Sequence, residues 1–576
     1  MTTVYKPLIQ NPRFINYGLF IVLYFTLKQM LLNDKARMLY KILTVLFILS
    51  GLFQAVLGLL QLYGIQQSLH SGFKITGTFF NPALYALYLA AVFPFSLGIY
   101  LFSNISDMEA KVLPKELYLN VKFSITKALL KHSSGRKPKT LNFSLYSIII
   151  RYLALVTVIS IFLVLPATMN RASWLGVFTS GFILIIKKYE LFKKAGIFLN
   201  NSLRKTGIAI LAFVLIAMTG TGLFYLKKGS SLGRLLIWEV TLGKIAEKPI
   251  FGHGIGRFEA EYNNWQADYF QTHPGEMEGP KGMAAGNTKY CFNEYLEMAS
   301  ETGVTGLIIF LSIVGLACKQ MFNRFNDPTL KNLNENLPPG AAMISILVCA
   351  MISIPFYSLP TFIVFFIMLA MISSQTKPKR FNYELKISSY SSRIINIGLI
   401  LIFSSVSICL FRLTMKQYKA LYIWDEAVML YQIGSYKEAC KSFSEVYNSL
   451  CYTGAYLQYY GKALNMNEDY EKSLILSNRA ILYTSDEILY TTLGDTYKAL
   501  QKYQEAEQKY LYASFMAPHK LYPMYLLVNL YCETGQNEKA IMVAEEVLQK
   551  KIKVESFATE EIKQKMKDLT RKLKNQ

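Results

Sequence analysis

Ten apolar runs decide what this chain can fold into. They fall at about 14–31, 41–63, 82–102, 147–165, 172–186, 206–226, 303–319, 340–356, 361–374 and 393–413. Most are long enough to cross ~30 Å of hydrocarbon as helices, which predicts an all-α, polytopic membrane bundle of about ten transmembrane helices. The 576 residues exceed one ordinary domain, and 52% hydrophobic against 17% charged residues agrees with a membrane protein. The net charge of +23 would suit a nucleic-acid partner only if it gathered in one arm or motif. It does not. Residues 415–576 carry 21 Lys/Arg against 20 Asp/Glu, so +22 of the charge lies in residues 1–414, among the apolar runs. Loops beside membrane helices account for it, and no nucleic-acid partner is expected.

The same charges predict orientation. Alternate connections are basic: 33–41, 103–146 with eight Lys/Arg, 187–194, 319–339 and 377–386. By the positive-inside bias these are cytoplasmic. The connections 64–81, 166–171, 227–302 and 357–360, and the whole C-terminal region, then lie outside. The longest of them, 227–302, holds 8 Lys/Arg against 10 Asp/Glu.

Residues 1–414 read as the membrane domain and 415–576 as a soluble one. From 422 the chain is helical and repetitive, with YKEA (436–439), YEKS (470–473), YQEA (503–506) and NEKA (537–540) spaced by 34, 33 and 34 residues. This period, with small residues at Ala439, Ser473, Ala506 and Ala540, is similar to tetratricopeptide repeats. No such repeat buries its own apolar face, so about four must stack into a solenoid, closed by the charged helix 559–575. A solenoid of this kind suits a protein partner.

Four stretches on the outer side are candidates for chemistry. In GTFFNPALYALYLA (77–90), Asn81 and Pro82 mark a turn into a helix. In MNRASWLG (169–176), Arg171 stands where a short turn enters an apolar run, a costly place for a charge that neither snorkels nor works. The stretch 230–270 holds Arg234 in an amphipathic helix, then KPIFGHGIGRF, with Gly252, His253, Gly254, Gly256 and Arg257. Its glycines permit close backbone approach and bare N–H groups for an anion. No strand precedes it, so a nucleotide fold is not supported. Last, YCFNEYLEMASETG (290–303) carries Asn293, Glu294, Glu297 and Glu301 into a membrane run, a pattern that also reads as ordinary helix capping. Seven cysteines without C-x-x-C and five scattered histidines give no metal spacing, so no metal is expected. H-E-x-x-H, G-K-[ST] and G-x-S-x-G are absent.

In order, G-T-F-x-N-P, N-R-a-W-L-G, G-R-x-x-x-W, P-x-x-G-x-G-x-x-x-F and N-E-Y-L-x-x-x-x-E-T-G-x-x-G-L resemble the O-antigen ligase and polymerase superfamily of bacterial membrane glycosyltransferases, over about 75–320. The resemblance implies an inner-membrane enzyme, without metal or other cofactor. It would move a glycan from undecaprenyl diphosphate to a hydroxyl of an acceptor lipid, polysaccharide or protein on the periplasmic side. Arg171 and Arg234 would clamp the diphosphate as paired guanidinium groups. Asn81, the glycine loop, Arg257 and Asn293 would line the substrate, and His253 or Glu294 would serve the acceptor hydroxyl. Family ligases carry a histidine just before this asparagine; here the residue is Phe292. The superfamily also leaves open a polysaccharide polymerase or a protein O-oligosaccharyltransferase. A non-catalytic membrane scaffold acting through its repeats is the reading from another class.

Overall fold

A computed structural model describes residues 12–32, 36–102, 145–191, 222, 225, 227–325, 337–374 and 389–574. The expected run at 206–226 and the basic connections at 103–146 and 377–386 fall almost wholly outside this set. In chain order the helices are α1 (Pro12–Leu32), α2 (Ala36–Leu62), α3 (Pro82–Phe102), α4 (Leu145–Val164), α5 (Arg171–Lys188), α6 (Lys228–Glu247), α7 (Arg257–Thr272) and α8 (Pro280–Ala284). Then come α9 (Glu294–Phe325), α10 (Leu337–Ala350), α11 (Leu359–Ser373) and α12 (Ser389–Gln432). The C-terminal series is α13 (Tyr436–Leu450), α14 (Gly454–Met466), α15 (Tyr470–Ala480), α16 (Glu487–Ala499), α17 (Tyr503–Met516), α18 (Tyr522–Glu533), α19 (Asn537–Gln549) and α20 (Phe557–Lys574). No strand occurs among the described residues.

The chain forms two compact units, Phe20–Thr219 with Phe310–Pro378, and Met1–Leu19 with Gly220–Ile309 and Lys379–Gln576. The first is built around α3, which is buried from Tyr85 to Gly98 except at Tyr88. It packs on α2, α4, α5 and α10. By contrast α2 leaves Ile42, Leu46, Leu49, Phe53 and Val56 exposed, and α4 leaves Ile149, Tyr152, Val156, Ile159 and Leu163. Each set recurs every three or four residues, so each is one continuous apolar stripe. Stripes of that size are what a helix shows to lipid. On α5, Ser173, Gly176, Ser180 and Gly181 are buried. A Cβ on Gly176 would stand 2.6 Å from Cys349 Sγ and 3.0 Å from the Ser345 carbonyl of α10, so close packing requires the small residue.

Four helices are long and apolar enough to cross a membrane, Met38–Leu62, Pro82–Phe102, Ile148–Thr168 and Glu294–Met321, with shorter apolar helices at Gly18–Leu32, Leu337–Ala350 and Leu359–Ser373, all among the described residues. These seven coincide with seven of the ten runs. The run at 172–186 lies in α5, whose small polar face lowers its hydropathy, and that at 393–413 lies in the 44-residue α12, which passes without a break through residues 414 and 415.

In the second unit the C-terminal helices stack as pairs: α12 on α13, α14 on α15, α16 on α17, α18 on α19, with α20 against α19. Ala439, Ser473, Ala506 and Ala540 are all fully buried. They stand on the second helix of successive pairs, where a larger side chain would push the pair apart. At one such contact Ser473 Oγ donates to the Gly461 carbonyl at 2.8 Å.

Candidate functional site

The feature that shapes the 227–302 loop is a backbone lock between the glycine turn and a kink in α9. Helical geometry in α9 breaks at Gly303 (φ 69, ψ −173), a conformation open in practice to glycine alone. The kink exposes carbonyls that the glycine turn takes up. His253 N donates to Ser300 O and Gly254 N to Glu301 O, both at 2.8 Å, while Val304 N donates back to Pro249 O at 2.8 Å. The approach is so close that a Cβ on Gly252 would lie 2.5 Å from the Glu301 carbonyl carbon. This corrects one expectation. The N–H groups of Gly252 and Gly254 are not bare for an anion: Gly252 N donates to Lys248 O and Gly254 N to α9. These two glycines serve the close approach of two backbones instead. Gly256 (φ 79) stands before the first turn of α7.

The carboxylates of the α9 start are buried rather than spare. Glu297 accepts from Cys291 N at 3.1 Å and Glu301 from Phe258 N at 3.2 Å, and Glu294 is 8% exposed. Asn293 is the cap of this helix, its side-chain oxygen accepting from Tyr295 N and Leu296 N at 3.0 and 3.1 Å. His253 is likewise held in place. Its Nε2 lies 2.9 Å from the Lys244 carbonyl, a contact that requires the proton on Nε2. Its Nδ1 faces Glu261 at 4.0 Å, and its ring packs on Trp265. Arg257 pairs with Glu261 at 3.4 Å and donates to Leu482 O at 3.2 Å, so it ties the loop to the C-terminal helices.

Arg234 has a different setting. Its guanidinium lies over the Phe292 ring at 5.1 Å, inside a cavity of about 660 Å³. Phe292 adopts a left-handed conformation (φ 54) just before the Asn293 cap, which turns its ring into the cavity wall. The aromatic residue at the histidine position is thus a seat for the arginine. A guanidinium that meets a ring by its face keeps its N–H donors in its own plane, suited to a phosphate. Trp238 Nε1 donates to Cys291 O at 3.0 Å and fixes the strand of chain that carries Phe292. On α8, Lys281 meets Glu239 at 2.9 Å, Glu276 at 3.0 Å and the Tyr269 hydroxyl at 2.7 Å, clamping α6, α7 and α8 together. Burial, with Glu276 beside it, pushes the Tyr269 phenol up to about 12.

Sequence reasoning missed the other polar lining, Ser230, Gln266, Asn287, Thr288 and Lys553. Two of these join the cavity wall to the C-terminal helices. Asn263 receives Thr288 N at 3.1 Å and gives its amide to Ser485 O at 2.5 Å; Gln266 gives its amide to Met516 O at 2.6 Å. Tyr512 donates to Asp268 at 2.9 Å and Tyr490 to Asn264 at 3.0 Å. Nothing in the local pattern announces contacts between residues more than 200 apart in the chain.

His519, beside this contact, is driven down to about 4 by burial and by Lys553 and Lys520. A histidine held below its usual value near 6.5 is neutral in the folded protein. As pH falls through 6.5 the unfolded chain takes up a proton that the folded one refuses, so stability present above 6.5 is lost progressively toward pH 4. The thermal midpoint of the full-length protein in detergent is expected to fall between pH 7 and 4.5, and His519→Gln to shallow that slope. An unchanged slope in the variant contradicts the assignment.

In the first unit, α2 builds the other candidate region. Gln61 accepts from Thr76 N and Gly77 N at 2.9 and 2.8 Å, and Gln54 donates to Thr78 Oγ1 at 2.7 Å. Stacked two turns apart, these glutamines hold the 76–78 turn. Asn81 then caps α3 by accepting from Ala83 N at 2.8 Å. Asn170 caps α5, accepting from Ala172 N at 3.1 Å, and its amide donates to Ala83 O at 3.0 Å. One asparagine so joins the start of α3 to the start of α5, where Arg171 is the first helical residue.

Among the described residues these features define an all-helical membrane protein with a cavity lined by Arg234, Phe292 and Lys553. Residues 155–311 match the family model described as O-antigen ligase (Wzy_C). That span includes Arg171, Arg234, His253 and Glu294. The chain is also similar to a Rickettsia bellii (strain RML369-C) protein described as "Putative polysaccharide ligase", 27% identical over 30% of this chain and 41% of that protein. A Rickettsia conorii (strain ATCC VR-613 / Malish 7) protein of like description is 31% identical over 22% of this chain and 27% of its own length. The chain therefore spans less than half the length of these relatives. The matches support the O-antigen ligase superfamily and a glycosyl-transferring enzyme.

Proposed function

We propose that this protein is an O-antigen ligase-like glycosyltransferase of the bacterial inner membrane, transferring a glycan from undecaprenyl diphosphate to an acceptor hydroxyl at its periplasmic side. The observation that carries this reading is Arg234 seated on Phe292 in a 660 Å³ cavity, within the span that matches the ligase family. In the reaction the acceptor oxygen bonds to the anomeric carbon, the bond from that carbon to the diphosphate breaks, and the hydroxyl proton passes to a base. The leaving diphosphate gathers negative charge, which Arg234 neutralises. No metal is called for. The C-terminal helices are tetratricopeptide-like repeats following the membrane domain.

The base is Glu294, two residues beyond the arginine's seat, with His253 in a supporting role. Glu294→Gln keeps the shape and removes the proton acceptor; a loss of about a hundredfold or more in transfer rate is expected. His253→Gln retains a donor for the Lys244 carbonyl, so transfer is expected to stay within several-fold of normal. The reverse order would exchange the two roles. The general test is transfer in membranes from an undecaprenyl-diphosphate-linked donor to lipid, polysaccharide and protein acceptors. No product on any acceptor would overturn the reading.

A further inference from the structure

The C-terminal helices do more than follow the membrane domain: they form part of the cavity that holds Arg234. Lys553, in the turn between α19 and α20, lines that cavity. Its surroundings are built. Asn263 and Gln266, one turn apart on α7, each bond on one side to the cavity wall, at Thr288 and Gly286, and on the other to carbonyls of the C-terminal region, at Ser485 and Met516. Ala267 of α7 packs with Tyr490, Ala513 and Met516 in one buried cluster. The wall and the helices that carry Lys553 are therefore one packed body, and Lys553 and Arg234 line the same cavity. Around Lys553 the facing charges are Lys520, itself paired with Glu487, and the neutral His519.

We propose that Lys553 is the second cation of a phosphate-binding subsite whose first is Arg234, so that the C-terminal region supplies a specificity-determining residue to the loop's cavity. The ligand class is a diphosphate-bearing headgroup. Two cations of different kind in one cavity fit such a group: a planar fork for one phosphate and a mobile point charge for the next. The arrangement also gives the repeats a role inside their own chain, since the α7-facing surface of α16 and α17 is already occupied. The inference rests on the reading of Arg234 as a phosphate ligand.

The test is binding of farnesyl diphosphate and of inorganic pyrophosphate to the full-length protein in nanodiscs, by calorimetry. Lys553→Glu is expected to weaken farnesyl diphosphate binding at least about tenfold, the scale of one lost contact to a charged group. Lys553→Arg is expected to retain it. Lys551→Glu, in the same turn but outside the lining, controls for net charge and is expected to bind normally. Comparable affinity for pyrophosphate assigns the subsite to the diphosphate itself; a strong preference for the farnesyl compound assigns it to a lipid headgroup, and both agree with the proposal. Wild-type binding by Lys553→Glu, with Arg234→Ala still defective, overturns the role of Lys553 alone. Wild-type binding by both variants overturns the phosphate reading of the cavity. Equal weakening by Lys551→Glu reduces the effect to general charge and also overturns the proposal.

Discussion

Arg234→Ala is expected to lower glycan transfer by at least about a hundredfold while the protein still inserts and folds. Removing a single preorganised donor from a site of developing negative charge costs on that order, and here the donor is a full cation in a walled cavity. The side chain rests on the face of Phe292 rather than in the buried core, so its loss leaves the α6–α7–α8 clamp around Lys281 intact. Arg234→Lys is expected to recover only part of the activity. An ammonium restores charge but neither the planar fork nor the broad stacking contact with the ring. The check is initial transfer rate at matched protein level, with thermal stability measured beside it. Full activity of Arg234→Ala would remove the cavity from the mechanism.

The second large effect is structural. Gly303→Ala is expected to unlock the glycine turn from α9 and to disable the site without touching any candidate catalytic side chain. Its backbone conformation alone costs a non-glycine residue about 1–3 kcal/mol. The added Cβ would also run into the Ile250 carbonyl, so the 249–254 turn must move. With that movement go the bonds from His253 N and Gly254 N, and with them the placement of the α9 first turn that holds Asn293 and Glu294. Loss of most transfer, a lower thermal midpoint and faster proteolysis within 248–256 are expected together. Gly315→Ala is the matched control, since its Cβ would meet nothing within 4 Å on the same helix. Equal behaviour of the two variants would contradict the lock.

Much of the fold was legible because it rests on local periodicity. The stripes of α2 and α4 repeat every three or four residues, and the 34-residue period put Ala439, Ser473, Ala506 and Ala540 in buried positions. The site was legible only as a set of residue types. The glycine turn read as an anion cradle because a G-x-G-x-G string looks the same whether its N–H groups face a ligand or another backbone; only the kink at Gly303 decides, and it lies about fifty residues further on. Phe292 read as the loss of a histidine, while its gain, a seat for Arg234, depends on a helix more than fifty residues before it. Lys553 carried no signal at all. It is one of several lysines near the end of a nearly neutral segment, and its place in the lining of the cavity that Arg234 shares follows from the packing of α7 on α17.

The most direct measurement is a transfer assay on membranes containing the full-length protein, supplied with an undecaprenyl-diphosphate-linked oligosaccharide and lipid, polysaccharide and protein acceptors. The account predicts that glycan appears on one acceptor class with equimolar release of undecaprenyl diphosphate, and that Arg234→Ala abolishes both. Folded, inserted protein that transfers to none of the three, or transfer that persists in Arg234→Ala, would contradict it.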